Sequence, residues 1–295
     1  MLRDIKRGKD EQIDAFIALL TRVRPDIIAL QGIDYDLRET ALIALIDALG
    51  DAGTPYPYHF TSAPNAGQAS NLDLNGNGAL GDADDAHGFG RYNGMGGMAV
   101  LSRLPIQMEE IEDYTSMLWR DLSDNIYPMV DAGPFGGADV FEAHRLSSRN
   151  HWVVPIGTPD HGTLRLMTFH ATPPLYDGEE DRNGRRNHDE VAFWNAYLQQ
   201  STSMQPLVLL GTANIDPKRG SGRRGAIKKL LASSLLQNPF GNTPTAVFSE
   251  AMPDGLQVDY LLPSTDWKVI AQGIETSPTA SRHSLLWVDI ALRNP

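Results

Sequence analysis

The chain has 295 residues, with 37 acidic against 25 basic side chains and a net charge of −12. That balance repels polyanions and disfavours tight non-specific DNA binding. The absence of cysteine excludes disulfides, thiolate catalysis and thiolate-bound zinc. No apolar run approaches the roughly 18 residues a membrane helix needs. The opening MLRDIKRGKD carries no apolar signal segment; a periplasmic or secreted location is the expectation if an upstream signal has been removed.

The first predicted element is a helix. Ile13, Phe16, Ile17, Leu20 and Val23 follow i, i+3, i+4, i+7 spacing behind a candidate Asp10 cap, and Arg24-Pro25 ends it. Ile27 to Leu30 reads as a buried strand ending at Gln31. A second helix carries Leu42, Leu45, Ile46 and Leu49 on one face. From about Thr61 to Gly97 the chain is rich in Gly, Asn and Asp, too long for an ordinary connection, and reads as an inserted functional or metal-ordered loop. Strand signals resume at Gly97 to Ser102, and Met108 to Pro155 is irregular. A strand from Leu164 to His170, a charged loop and a helix carrying Val191, Trp194 and Leu198 come next. A strand at Leu207 to Leu210 and a helix at Ala226 to Leu231 are followed by strands near Val258 to Leu262, Trp267 to Ala271 and Leu285 to Ala291. No repeat or linker interrupts this, so one domain over 1–295 is expected.

Four of these segments place a polar residue at one end of an apolar strand: TFHATPP from Thr168, VLLGTANIDP from Val208, QVDYLLPS from Gln257 and SRHSLLWVDI from Ser281. Sites are commonly built at strand ends on a rigid sheet. Brought to one rim, His170, Asn214, Asp259 and His283 supply two imidazoles, a carboxylate and an amide, a set suited to binding a phosphate and moving protons around it.

Taken in order, these pieces resemble the endonuclease/exonuclease/phosphatase superfamily. Its strands end in LQE, then ILSRxPI, then a His, then GDxN, then D-aromatic-hydrophobic, and the last begins SDH. Here LQGID (Leu30 to Asp34), AVLSRLPI (Ala99 to Ile106), His170, GTAN (Gly211 to Asn214), VDYLL (Val258 to Leu262) and SRH (Ser281 to His283) fall in that order. The resemblance implies an α/β (α+β) four-layer sandwich, two face-to-face mixed β-sheets flanked by helices. It implies in-line attack of water on a phosphate ester assisted by magnesium or manganese. It also implies roles: His170 as the phosphate or leaving-group His, Asn214 as the Asn of GDxN, and His283 as the terminal His with Asp259 supporting it.

Several positions depart from the family pattern. Gly32 stands where the metal-binding Glu is expected, and Asp34, two residues on, is the remaining candidate ligand. Thr212 replaces the Asp of GDxN, and a hydroxyl is a poorer magnesium partner than a carboxylate and has no useful pKa near neutrality. Arg282 replaces the Asp of SDH and becomes a candidate phosphate contact. The family's first strand, which ends in Asn, has no counterpart before the opening helix. These departures predict turnover far below that of a typical member.

A second pattern lies in the inserted loop. Asp73 to Asp84 reads DLNGNGALGDAD, with Asp73, Asn75, Asn77, the Ala79 carbonyl and Asp84 at calcium-loop positions 1, 3, 5, 7 and 12 and Gly78 at the turn. This predicts a structural Ca2+, against a plain flexible loop. In EEDRNGRRNHDE (Glu179 to Glu190), Arg186 is a candidate phosphate contact, against a solvated charged loop. The sequence thus favours a metal-dependent phosphoesterase for a small phosphate ester or phospholipid headgroup rather than duplex DNA. The alternative is an impaired or non-catalytic member acting as a calcium-stabilised binding protein.

Overall fold

The computed structural model describes residues 2–131, 133–159, 162–200, 206–248 and 253–293. Helices are α1 (Leu2–Arg7), α2 (Glu11–Val23), α3 (Thr40–Asp51), α4 (Ala138–Ala143), α5 (Arg182–Gln200) and α6 (Gly225–Leu231). Strands are β1 (Ile27–Ile33), β2 (Tyr58–Phe60), β3 (Gly97–Ser102), β4 (Glu112–Asp113), β5 (Met129–Val130), β6 (Gly133–Pro134), β7 (His151–Thr158), β8 (Gly162–His170), β9 (Leu207–Thr212), β10 (Asp259–Pro263), β11 (Trp267–Glu275) and β12 (Leu285–Leu292). The Asp10 carboxylate caps α2 by accepting from the Gln12 and Ile13 amides, and Arg24 closes it in the left-handed conformation.

Strand alternation builds the layers. In β3, Met98 and Val100 face one way, and Ala99 and Leu101 the other. In β7, Val153 and Trp152 divide in the same manner, as do Met167 and Leu166 in β8. Three apolar clusters result. One fills the space between the five-stranded sheet β10-β9-β8-β7-β4 and helices α5 and α6, around Trp119, Phe169 and Trp194. A second joins the two sheets, with Trp152, Val154, Val208 and Leu261 meeting Met98, Val100, Leu286 and Val288. The third packs α2 and α3 on β1 and β3 through Leu20, Leu30, Leu42 and Leu49. The sequence is helix, sheet, sheet, helix: the four-layer sandwich expected.

The second sheet layer comes in two pieces. Sheet β1-β3-β2 and hairpin β11-β12 cover the same face of the larger sheet. Among the described residues β1 pairs with β3 alone and β12 with β11 alone.

Three sequence expectations change. Strand β7 starts inside the stretch from Met108 to Pro155 that reads as irregular. The charged stretch after Asp181 is helix from Arg182 onward, not loop. Its polar residues Arg182, Arg186, Asn187, Asp189 and Glu190 lie on the buried face, so the hydrophobic period that normally announces a helix begins only at Val191. A short α1 also precedes the expected first helix.

Candidate active site

The site grows from one row across the five-stranded sheet. His170, Thr212 and Asp259 are register partners on adjacent strands β8, β9 and β10. Gly211 lets β9 close on β8: a Cβ there would lie 2.1 Å from the Phe169 carbonyl oxygen. From the facing layer, His283 reaches in just before β12, and Gln31 at the end of β1 donates to the Thr168 hydroxyl at 3.3 Å.

Asp259 is the hub. The His283 Nδ1 lies 2.9 and 3.1 Å from its two carboxylate oxygens. The Thr212 hydroxyl donates to Oδ1 at 2.7 Å and the Thr245 hydroxyl to Oδ2 at 2.9 Å. The His283 side chain is one-third exposed and Asp259 is 13% exposed, so the imidazole's far nitrogen has a route to solvent. Phe248 packs edge-on to the His283 ring at 5.3 Å, and the exposed Arg282 guanidinium sits 5.9 Å from the Phe248 ring.

Asn214 follows β9 in the left-handed conformation, φ 53°. Its backbone amide donates to the Val258 carbonyl and its side-chain amide to Ala171 at 2.8 Å, which leaves Oδ1 free to accept. Buried Asn187 links the same two loops by donating to the Thr172 and Ala213 carbonyls. His170 stands beside them with a buried Nδ1 that has no partner among the described residues. Burial, with nearby Arg149 and His283 adding to it, pushes its pKa down to about 3.

Arg149 is the residue that sequence reasoning missed. Its Nη1 donates to the Met95 carbonyl at 2.6 Å, and its charge is felt at His170, Glu190 and Asp34. A signal was available: Arg149 lies two residues before β7, which runs antiparallel to β8 with His151 opposite Phe169, so extending the register brings it opposite Ala171, next to His170.

Three candidates sit elsewhere than expected. Arg186 is buried: Nε donates to the Leu146 carbonyl, and Nη2 to the carbonyls of His87, Arg145 and Ser147. In this structure it clamps main chain together. Asp34 accepts from the Gly96 amide and the Tyr92 hydroxyl, both at 2.8 Å, and so pins the end of the inserted loop. Asp84 points toward Arg182 at 3.7 Å. Asp82 instead closes the 73–84 loop by accepting from the side-chain amides of Asn75 and Asn77. Within that loop Asp73 caps the Asn77 and Gly78 amides, Asn75 caps Asn77, and Asn77 caps Ala79.

The sequence pattern describing the Endonuclease/Exonuclease/phosphatase family matches residues 4–283. The chain belongs to this family. Solved structures agree on the fold. An endonuclease/exonuclease/phosphatase from Beutenbergia cavernae aligns with a TM-score of 0.62 at 17% identity, over 96% of this chain and 66% of that one. A family protein from Leptotrichia buccalis gives 0.59 at 17% identity, over 96% and 93%. The human Nocturnin catalytic domain, with bound sulfate, gives 0.53 at 15% identity, over 96% and 87%. Curated protein sequences give no match.

Endonuclease/exonuclease/phosphatase proteins are typically divalent-metal-dependent phosphoesterases. The donor chemistry of this rim does not fit a complete site for such an ion. Gly32 sits in the left-handed conformation, φ 74°, at a bulge in β1, with open space within 4 Å of where a Cβ would be. The Thr212 hydroxyl is committed to Asp259, and both Asp34 oxygens already hold hydrogen bonds. No group of three His, Asp or Glu side chains converges among the described residues.

Proposed function

We propose that the chain hydrolyses a phosphodiester or phosphomonoester, with His283 as the proton acceptor for attacking water and Asp259 as its support. The observation that carries this reading is the 2.9 Å contact between His283 Nδ1 and the Asp259 carboxylate. An ionised carboxylate has no proton to give, so Nδ1 donates and Nε2 keeps its lone pair for the water. On this reading Arg149 and the exposed Arg282 supply positive charge for a phosphate, His170 stands on the strand beside Thr212 and Asp259, and the Asn214 Oδ1, an acceptor, suits a protonated group such as the attacking water. The net charge of −12 favours a small phosphate ester or a phospholipid headgroup over long duplex DNA. Magnesium or manganese is the cofactor expected by family, but no step is assigned to it on this donor set.

Hydrolysis of bis-nitrophenyl phosphate by the full chain, with magnesium, manganese or calcium supplied in turn, tests the reading. Turnover should fall about 100-fold or more in His283→Ala, the scale of general-base catalysis. Silence with every metal in the folded chain would favour the other reading, a non-catalytic binding protein.

We also infer a calcium ion for the 73–84 loop, held by Asp73, Asn75, Asn77 and the Ala79 carbonyl. The successive side-chain caps that curl this loop support it, with Asp82 in place of Asp84 as the closing acid.

A further inference from the structure

We propose that Thr212 and Thr245 are positioning residues: two hydroxyls that fix the Asp259 carboxylate and, through it, the orientation of His283. This rests on the reading of His283 and Asp259 as the proton-accepting pair.

The hydrogen-bond inventory carries the argument. A threonine hydroxyl has one proton and two lone pairs. The Thr245 oxygen accepts from the Val258 amide at 3.0 Å and the Asp259 amide at 2.9 Å, so both lone pairs are filled. Its one proton has two acceptors in reach, Asp259 Oδ2 at 2.9 Å and the Leu256 carbonyl at 3.5 Å, and the shorter, charged contact takes it. Thr245 is fully buried, and no water competes for that proton. Thr212 reaches the other oxygen, Oδ1, at 2.7 Å from the directly opposed position on β9, and is 3% exposed. Each carboxylate oxygen thus has its own hydroxyl donor, and the two bonds set the carboxylate plane. His283 Nδ1 spans both oxygens at 2.9 and 3.1 Å, so its ring direction follows that plane.

Thr212 therefore has a use beyond marking a missing acid. A site with one carboxylate needs that carboxylate held still, and a hydroxyl at position 212 holds it without adding a second negative charge against it. Thr245 carries no motif of its own. It lies 14 residues before Asp259, in the segment where Ala246 bridges to His283, and so ties the two partners of the pair to one stretch of backbone.

Thr212→Val removes one hydroxyl and keeps the shape, and is the cleaner variant, because Thr245→Val also strands two buried amides. Thr212→Ser and Thr245→Ser are the rescue variants. In the full-length protein each Val variant should lose about tenfold in kcat, the scale of one hydrogen bond to a charged group, with KM for bis-nitrophenyl phosphate within about twofold. Ser should restore most of it. Imidazole 15N spectra should show the His283 proton on Nδ1 throughout, held there by Asp259, with a sharp Nδ1–H resonance in the parent and the Ser variants that broadens in the Val variants as the ring loses its fixed direction. Unchanged kcat and an unchanged His283 Nδ1–H resonance in both Val variants would overturn the proposal. So would a loss of activity that only tracks loss of folded protein, with the resonance intact. If the parent shows no phosphoesterase turnover, the hydrolase reading fails by itself, and the 15N comparison still decides this one.

Discussion

Arg186 illustrates what a buried guanidinium does when no carboxylate takes it. Its Nε and Nη2 close on four main-chain carbonyls from the segment before β7 and from His87, and burial pulls its pKa down to about 10. Arg186→Met keeps much of the apolar stem but removes the guanidinium donor from the His87, Arg145 and Leu146 carbonyls, while the Ser147 carbonyl keeps Asn65; each stranded carbonyl costs about 1–3 kcal/mol. Denaturant unfolding should show a loss of at least about 3 kcal/mol, and a loss below about 1 kcal/mol would show that the clamp is dispensable. The sequence suggested a phosphate contact because a guanidinium matches phosphate geometry, with a solvated loop as the alternative, and nothing local reveals that helix α5 turns its charged face inward. His283 and Asp259 were readable for the opposite reason: each sits at the boundary between a polar turn and an apolar strand, and strand ends on one sheet rim converge. Thr245 and Arg149 are brought near Asp259 and His170 by loop geometry, which has no period in sequence, and they stayed hidden.

Elements with a strong period were legible. Helices α2 and α3 and strands β3, β8, β9, β10 and β12 fall where alternation or i, i+3, i+4 spacing puts them. The stretch from Met108 to Pro155 was not: its described residues fold as short turns, β4, the paired strands β5 and β6, α4 and the start of β7, stabilised by tertiary contacts such as Trp119 donating to buried Asp189. The inserted loop is intermediate. Its composition announced it, and its anchors are particular: Asp34 at one end, Asp85 accepting from the Leu74 and Gly81 amides in the middle. Leu80 lies at the loop's outer side, 70% exposed. If calcium orders this loop, chelation should speed proteolysis near Leu80, read as fragment masses over time with and without EDTA. Equal cleavage rates would leave the loop held by its own hydrogen bonds.

At the scale of the whole molecule, the buried histidines set acid tolerance. His87 and His151 are pushed down to about 4 and His144 well below its ordinary value, chiefly by burial. His151 is fully satisfied as a neutral ring between the Ser147 hydroxyl and the Glu190 carbonyl. Near pH 7 native and unfolded chains hold these rings neutral alike. As pH drops below about 6.5 the unfolded chain takes up protons that the native core refuses, so stability falls, by up to about 1.4 kcal/mol per pH unit for each ring. The decline should run from about pH 6.5 to about pH 4, and thermal unfolding across that range measures it. A midpoint that stays flat to pH 5 would mean that the core admits the charge.

The divided sheet has a consequence of another kind. The outer rims of β1 and β12 have no strand partner among the described residues, and every residue of β12 is at least partly exposed. Such rims can pair with an extended polypeptide, including one from another copy. The net charge of −12, with Asp289 on β12 itself, opposes that pairing. Salt screens this repulsion within about 10 Å at 0.1 M, so any self-association through these rims should grow with ionic strength, read as molecular mass by light scattering.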